Sequence, residues 1–151
     1  MTEDQISREM YKAARHSSSS SVLSWQGVGG KSYFNYDLRI DTPSETMAPD
    51  LVVVRDGFVW ILEIKGTHRE SLEEDEPKLA RLASALTPAQ ILDTVARVCR
   101  VDRRGIAGLR YGVAFSHGSA SPACQDWVAH LPWESKRPDL DRALDELSQP
   151  Q

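Results

Sequence analysis

At 151 residues and 40% hydrophobic content, the chain is the size of one ordinary domain and can bury a core without staples. No apolar run approaches the roughly 18–20 residues a membrane helix needs, and the opening Met1-Thr2-Glu3-Asp4-Gln5 is too acidic and polar for a secretory signal. The net charge of −4 excludes a uniformly basic nucleic-acid binder, but the acid is unevenly placed: Glu70, Glu73, Glu74, Asp75 and Glu76 form one block, outside which 18 bases face 17 acids.

In chain order, Thr2-x-x-Gln5 reads as a capping box, and the spacing predicts a helix over residues 4–16. Ile6, Met10, Ala13 and Ala14 form its apolar stripe, with Arg8, Lys12 and Arg15 opposite and Glu9 and His16 on the border. Ser17 to Ser21 is a loop, Val22 to Trp25 a short strand, and Gly27 to Gly30 a turn. Alternation of Phe34, Tyr36, Leu38 and Ile40 predicts a strand over 31–41, followed by a loop from Thr42 to Ala48. Two β-branched runs, 50–55 and 58–65, flank Asp56-Gly57, the strongest short hairpin signal. The acidic block is an exposed loop or frayed helix, and residues 77–85 are helical. Thr87-Pro88-Ala89-Gln90 opens another helix, running to about Val101 on the core stripe Ile91, Leu92, Val95, Val98 and Cys99. Residues 109–116 alternate as a last strand, and 122–131 and 138–147 read as peripheral helices. Trp25, Trp127 and Trp133 are expected in the core, with an interface as the second reading.

Arg97, Arg100, Arg103, Arg104 and Arg110 make a second basic cluster; it and the helix-one cluster are either solvated faces or phosphate contacts. Cys99 and Cys124, 25 apart, fit neither a zinc site nor a disulfide framework and suit a reducing, cytoplasmic compartment.

A two-residue turn at Asp56-Gly57 fixes the pairing. Arg55 faces Phe58, Leu51 faces Leu62, and Asp50 lands opposite Glu63; Lys65 projects to the same side. Two opposed carboxylates repel and would not be chosen for stability, whereas a divalent cation on hard oxygen donors relieves the conflict, which suits Mg²⁺ or Mn²⁺.

Pro49-Asp50 followed by Glu63-Ile64-Lys65 resembles the PD-(D/E)XK motif of the restriction-endonuclease-like nuclease superfamily. The predicted order of elements over residues 4–116 matches that family's helix, three strands, helix, strand. The resemblance implies a single α/β domain over 1–151, with a mixed central sheet flanked by helices and extra C-terminal helices. It implies that Asp50 and Glu63 hold the metal with the carbonyl of Ile64, and that Lys65 positions or activates the attacking water. The neighbouring carboxylates oppose a lowered pKa at Lys65, so water orientation and charge stabilisation are the expected role. Relatives add a ligand from the first helix, which makes Glu9 and His16 candidates for the metal. His16 after Arg15, with Ala48-Pro49-Asp50 and Glu63-Ile64-Lys65, is also similar to the cap-snatching RNA endonucleases of segmented negative-strand RNA viruses. The chain departs from that branch in its shortness and in having no clear extra acid beside His16. Gln90 matches a glutamine of a further branch, although capping already accounts for it, and Thr67 and His68 lie at the strand exit. Glu134-Ser135-Lys136 beside Pro138-Asp139 repeats the residue types in the wrong order.

The expected function is thus divalent-metal-dependent hydrolysis of nucleic acid, DNA favoured. RNA cleavage of the cap-snatching type and a non-catalytic binding or assembly subunit are the alternatives. No base-reading module is present, so specificity would come from loops, a homodimer partner or a larger assembly.

Overall fold

The structure, a computed structural model, describes residues 1–27, 38–65, 76–118, 126–134 and 140–148. Helix α1 (Glu3–His16) starts at the expected capping box: Thr2 Oγ1 accepts from Gln5 N at 3.2 Å, and Gln5 Oε1 accepts from Thr2 N at 2.9 Å. Ile6, Ser7, Met10 and Ala14 are its buried side. Tyr11 stacks on Trp25 with ring centroids 4.0 Å apart, and the Trp25 indole N–H donates to Ser7 Oγ.

The described strands form a five-stranded sheet and a separate two-stranded ribbon. In the sheet, β1 (Ser20–Trp25) runs antiparallel to β4 (Leu51–Arg55), which pairs antiparallel with β5 (Phe58–Ile64). Strand β6 (Gly108–Ser116) then adds parallel to β5, and β7 (Val128–Trp133) parallel to β6. The ribbon is β2 (Ile40–Asp41) with β3 (Thr46–Met47). At the hairpin, Asp56 (φ 50°) and Gly57 (φ 79°) are both left-handed, the signature of a type I′ turn. The register is the one the turn dictates, from Arg55 opposite Phe58 to Leu51 opposite Leu62.

Because side chains alternate along a strand, the sheet has two apolar faces. Leu51, Val53, Trp60, Leu62 and Ile64 pack under α1 and α4 (Leu140–Ser148). Val52, Val59, Ile61 and Val113 pack under α2 (Glu76–Ala85) and α3 (Pro88–Cys99) with Leu79, Leu82, Ile91, Leu92 and Val95. Each such side chain contributes about 1.5–3 kcal/mol of burial, so these layers fix the sheet between helices. Parallel pairing of β5 with β6 needs a crossover, which α2 and α3 supply, and it brings the C-terminal ends of both strands to one edge.

Three sequence expectations are corrected. The short strand expected at Val22–Trp25 begins at Ser20 and is the one that pairs with β4; of the strand expected over 31–41 only 38–41 are described, and Ile40–Asp41 pair with Thr46–Met47 inside the expected loop. The helix expected over 122–131 is instead a turn at 126–127 and strand β7; Pro132 is tolerated there because β7 is the edge strand. Trp25 and Trp133 are buried, but Trp127 is 43% exposed. Cys99 is buried in the core, which pushes its thiol up to about 11, while Cys124, Phe34, Tyr36, Thr67, His68 and the acidic block before Glu76 lie outside the described residues. Among the described residues, no helix is long and apolar enough to cross a membrane.

Candidate functional site

The site lies at the edge where β5 and β6 end. Alternation puts Glu63 on the same face as Val59 and Ile61, and Asp50 on the face of Val52, so both carboxyls turn toward the α2 side. Just beyond the ladder, Asp50 reaches across the hairpin, where its Oδ2 accepts from the Ile64 backbone N–H at 2.8 Å. The Asp50 backbone carbonyl accepts from Gln26 N at 3.0 Å, which ties the residue to the exit of β1 as well. The Asp50 and Glu63 carboxyl groups lie close enough for Asp50 to raise the Glu63 pKa. Two like charges are thereby set side by side, a placement that favours the protonated form of Glu63.

Glu63 is only 2% exposed, and burial, reinforced by Asp50, holds its pKa well above the ordinary carboxyl range. Lys65 is 1% exposed and is anchored by its backbone N–H to the Ala114 carbonyl of β6. Burial lowers its pKa, against the opposing pull of Glu63, Asp50 and Glu3. The carboxylates oppose the lowering, as expected from the sequence, but desolvation outweighs them.

Two further residues complete the cluster. Lys78, on α2, donates to the Ala48 carbonyl at 2.9 Å and pairs with Glu63 Oε1 at 3.0 Å. Glu3, in the first turn of α1, is exposed, yet its pKa is raised by partial desolvation and by Asp50, while Lys65 and Lys78 pull it down. The start of α1 is held near this edge by the Met1 amino group, which donates to Ser116 Oγ at the end of β6.

The structure therefore brings Asp50, Glu63, Ile64 and Lys65 together. It does not bring in the other two candidate ligands. Glu9 Oε2 accepts from the Trp133 indole N–H at 3.2 Å, and His16 is exposed at the far end of α1, about 20 Å along the axis from Glu3 at 1.5 Å per residue. Gln90 caps α3, accepting from Thr87 N at 2.8 Å. Glu134 pairs with His117 at 2.8 Å.

Lys78 and Glu3 were not singled out from the sequence. For Lys78 a signal existed: it falls at helical spacing with Leu82 and beside Leu79, a lysine inside an apolar stripe. Glu3 carries none, because an acid in a first helical turn is ordinary dipole complementation.

Among the described residues, no three His, Cys, Asp or Glu side chains converge as a metal cluster. The acidic donors at the site are a pair, with Glu3 within electrostatic range rather than in contact. A cavity of about 780 Å³ opens at a different place, over the starts of β6 and β7, beside Arg110, Tyr111 and Trp127. Arg103 and Arg104, from the second basic cluster, are paired with Asp93 and Asp102 just before β6, at the opposite end of that strand from the carboxylates. The geometry singles out the carboxyl pair and its lysines, not the cavity, as the place where charge is most constrained. No known family model matches the chain, and no curated protein is significantly similar to it.

Proposed function

We propose that this protein is a divalent-metal-dependent nuclease of the PD-(D/E)XK type, hydrolysing phosphodiester bonds in nucleic acid. The observation that carries the reading is the pair of carboxyl groups, Asp50 and Glu63, set side by side at the end of the hairpin with Glu63 buried near Lys65. Such a pair stabilises nothing on its own: burial and like-charge proximity both penalise it. The donor set fits Mg²⁺ or Mn²⁺, which take hard oxygen ligands and keep several waters, so two carboxylates with the Ile64 carbonyl suffice. The element order supports the reading too, with α1, then β1, β4 and β5, then α3 and β6 in the sequence helix, three strands, helix, strand.

On this reading Asp50 and Glu63 hold the ion, which supplies Lewis-acid polarisation of the phosphate and a more acidic water. The hydrogen bond from Ile64 N–H fixes the Asp50 carboxylate, leaving its other oxygen for the ion. Lys65 sits on the same face and orients the water while offsetting charge on the phosphorane. Glu3, rather than Glu9 or His16, is the first-helix acid placed to bind the ion through water. The exposed Arg8, Lys12 and Arg15 on α1 would carry the phosphate backbone toward this edge.

The test is cleavage of single- and double-stranded DNA and RNA with Mg²⁺ or Mn²⁺. Cleavage that EDTA abolishes and Lys65→Ala reduces at least about a hundredfold supports the reading. DNA is the expected substrate, and preference for RNA would select the cap-snatching type of activity. Metal binding without cleavage of any of the four would leave a nucleic-acid-binding or assembly role.

A further inference from the structure

The Lys78 ammonium meets two oxygens of the candidate site, Glu63 Oε1 at 3.0 Å and the Ala48 carbonyl at 2.9 Å. Ala48 is two residues before Asp50, so the ammonium lies between the chain leading into one carboxylate and the other carboxylate itself. Lys78 comes from α2, outside the hairpin that carries Asp50, Glu63 and Lys65, and its side chain keeps 23% exposure while Glu63 keeps 2%. A buried carboxylate must have a counter-charge, and this one reaches in from the solvent side on a flexible four-carbon stem.

We propose that Lys78 is a built-in stand-in cation: it occupies Glu63 in the metal-free protein and is displaced outward when a divalent ion binds. The inference rests on the metal-site reading above. An ammonium offers donors to the same Glu63 oxygen that an ion would take, so the two compete for it. A lysine is suited to the exchange because it is a point charge without the fixed fork of arginine. Its partly exposed position gives it a route back to water without unfolding α2. The consequence is a site that stays assembled without metal, at the cost of affinity: the ion must first dislodge the lysine. Lys78 is thereby a positioning residue and sets the metal concentration at which the site fills.

The test uses the full chain, stripped with EDTA, and Mn²⁺ alone as the probe. Calorimetric titration of wild type and Lys78→Met should show at least tenfold tighter Mn²⁺ binding in the variant. Without metal, Lys78→Met should melt below wild type, and saturating Mn²⁺ should close the gap. Lys78→Arg, which keeps the charge and adds a second donor to the carboxylate, should bind Mn²⁺ no more tightly than wild type. A readout that needs no variant is acetylation of Lys78 in wild type, followed by mass spectrometry; its rate should rise several-fold when Mn²⁺ saturates the site. Equal or weaker Mn²⁺ binding in Lys78→Met, or acetylation indifferent to Mn²⁺ in a wild type that binds it, would overturn the stand-in role alone. No Mn²⁺ binding by either wild type or Lys78→Met would bring down the metal site itself.

Discussion

The two ends of the β4–β5 hairpin each carry a charged cluster, and they are built on opposite plans. At the turn end, Asp141 of α4 accepts from the hydroxyls of Ser17 and Ser20 and pairs with Arg55 at 2.8 Å, one acid with one base and hydroxyl donors around it. At the open end, Asp50 and Glu63 crowd two acids into one place and draw on Lys78 from another element. The shifts follow suit. Burial alone would raise the Asp141 pKa, but Ser17, Ser20 and Arg55 outweigh it and hold it below the ordinary value, whereas burial and Asp50 hold Glu63 above. A cluster whose charges are all answered locks α4 to the sheet. One that crowds like charges together in a buried place, with the counter-charge borrowed from another element, is a site arranged for something else.

The largest effect expected from breaking this contrast is on activity. Lys65→Ala should lower cleavage at least about a hundredfold, while Arg55→Ala, at the other end, should change it by no more than its effect on folding, as read from circular dichroism beside the assay.

Stability should move in opposite directions at the two ends. Asp50→Asn keeps an acceptor for Ile64 N–H and removes the like charge beside Glu63. It should raise metal-free stability by about 1 kcal/mol, roughly 2–4 °C in Tm, while abolishing cleavage. Asp141→Asn removes the ion pair with Arg55 and should lower stability by about 1 kcal/mol, discounted for the partial exposure of the pair. Thermal melts in EDTA measure both; the same sign for both would erase the distinction.

The pH dependence sharpens it further. Glu63 keeps its proton in the folded chain to a higher pH than in the unfolded chain, where the ordinary value is 4.5. Its contribution is therefore full below 4.5 and is lost as pH rises through the raised folded value. Asp141 works the other way: its contribution is present above the ordinary 3.8 and is lost as pH falls through the lowered folded value. Metal-free melts should show wild type losing stability relative to Asp50→Asn on the rising limb. The deficit of Asp141→Asn relative to wild type should shrink on the falling limb below 3.8.

The smallest effect is expected from the second basic cluster. Arg103→Ala with Arg104→Ala should leave cleavage within about twofold, since both side chains are already engaged by Asp93 and Asp102 away from the carboxylates. A loss of tenfold or more would place nucleic acid at that end of the sheet.

Much of this was legible in the residues because local chemistry decided it. Asp56-Gly57 can take two left-handed conformations, so the hairpin register, and with it the meeting of Asp50 and Glu63, followed from the turn alone. The Thr2 and Thr87 capping boxes likewise set where α1 and α3 begin. What the sequence hid was decided by tertiary packing. Ser20–Trp25 has three serines in six positions and a pattern weaker than 31–41, yet it is the strand that pairs with β4. Val128–Trp133 carries a proline and apolar residues at mixed spacing, which reads as helix until its place at the sheet edge is known. Glu9 and His16 were candidates from helical phase, but phase gives no depth along the axis; it is the docking of the α1 start at Ser116 that brings Glu3 to the site instead.

The claim beneath all of this is that the Asp50–Glu63 pair exists to hold a divalent ion. Crystals soaked in Mn²⁺ and measured at the manganese absorption edge address it directly. The account predicts an anomalous peak between the two carboxylates. Full Mn²⁺ exposure with no peak between them would contradict it.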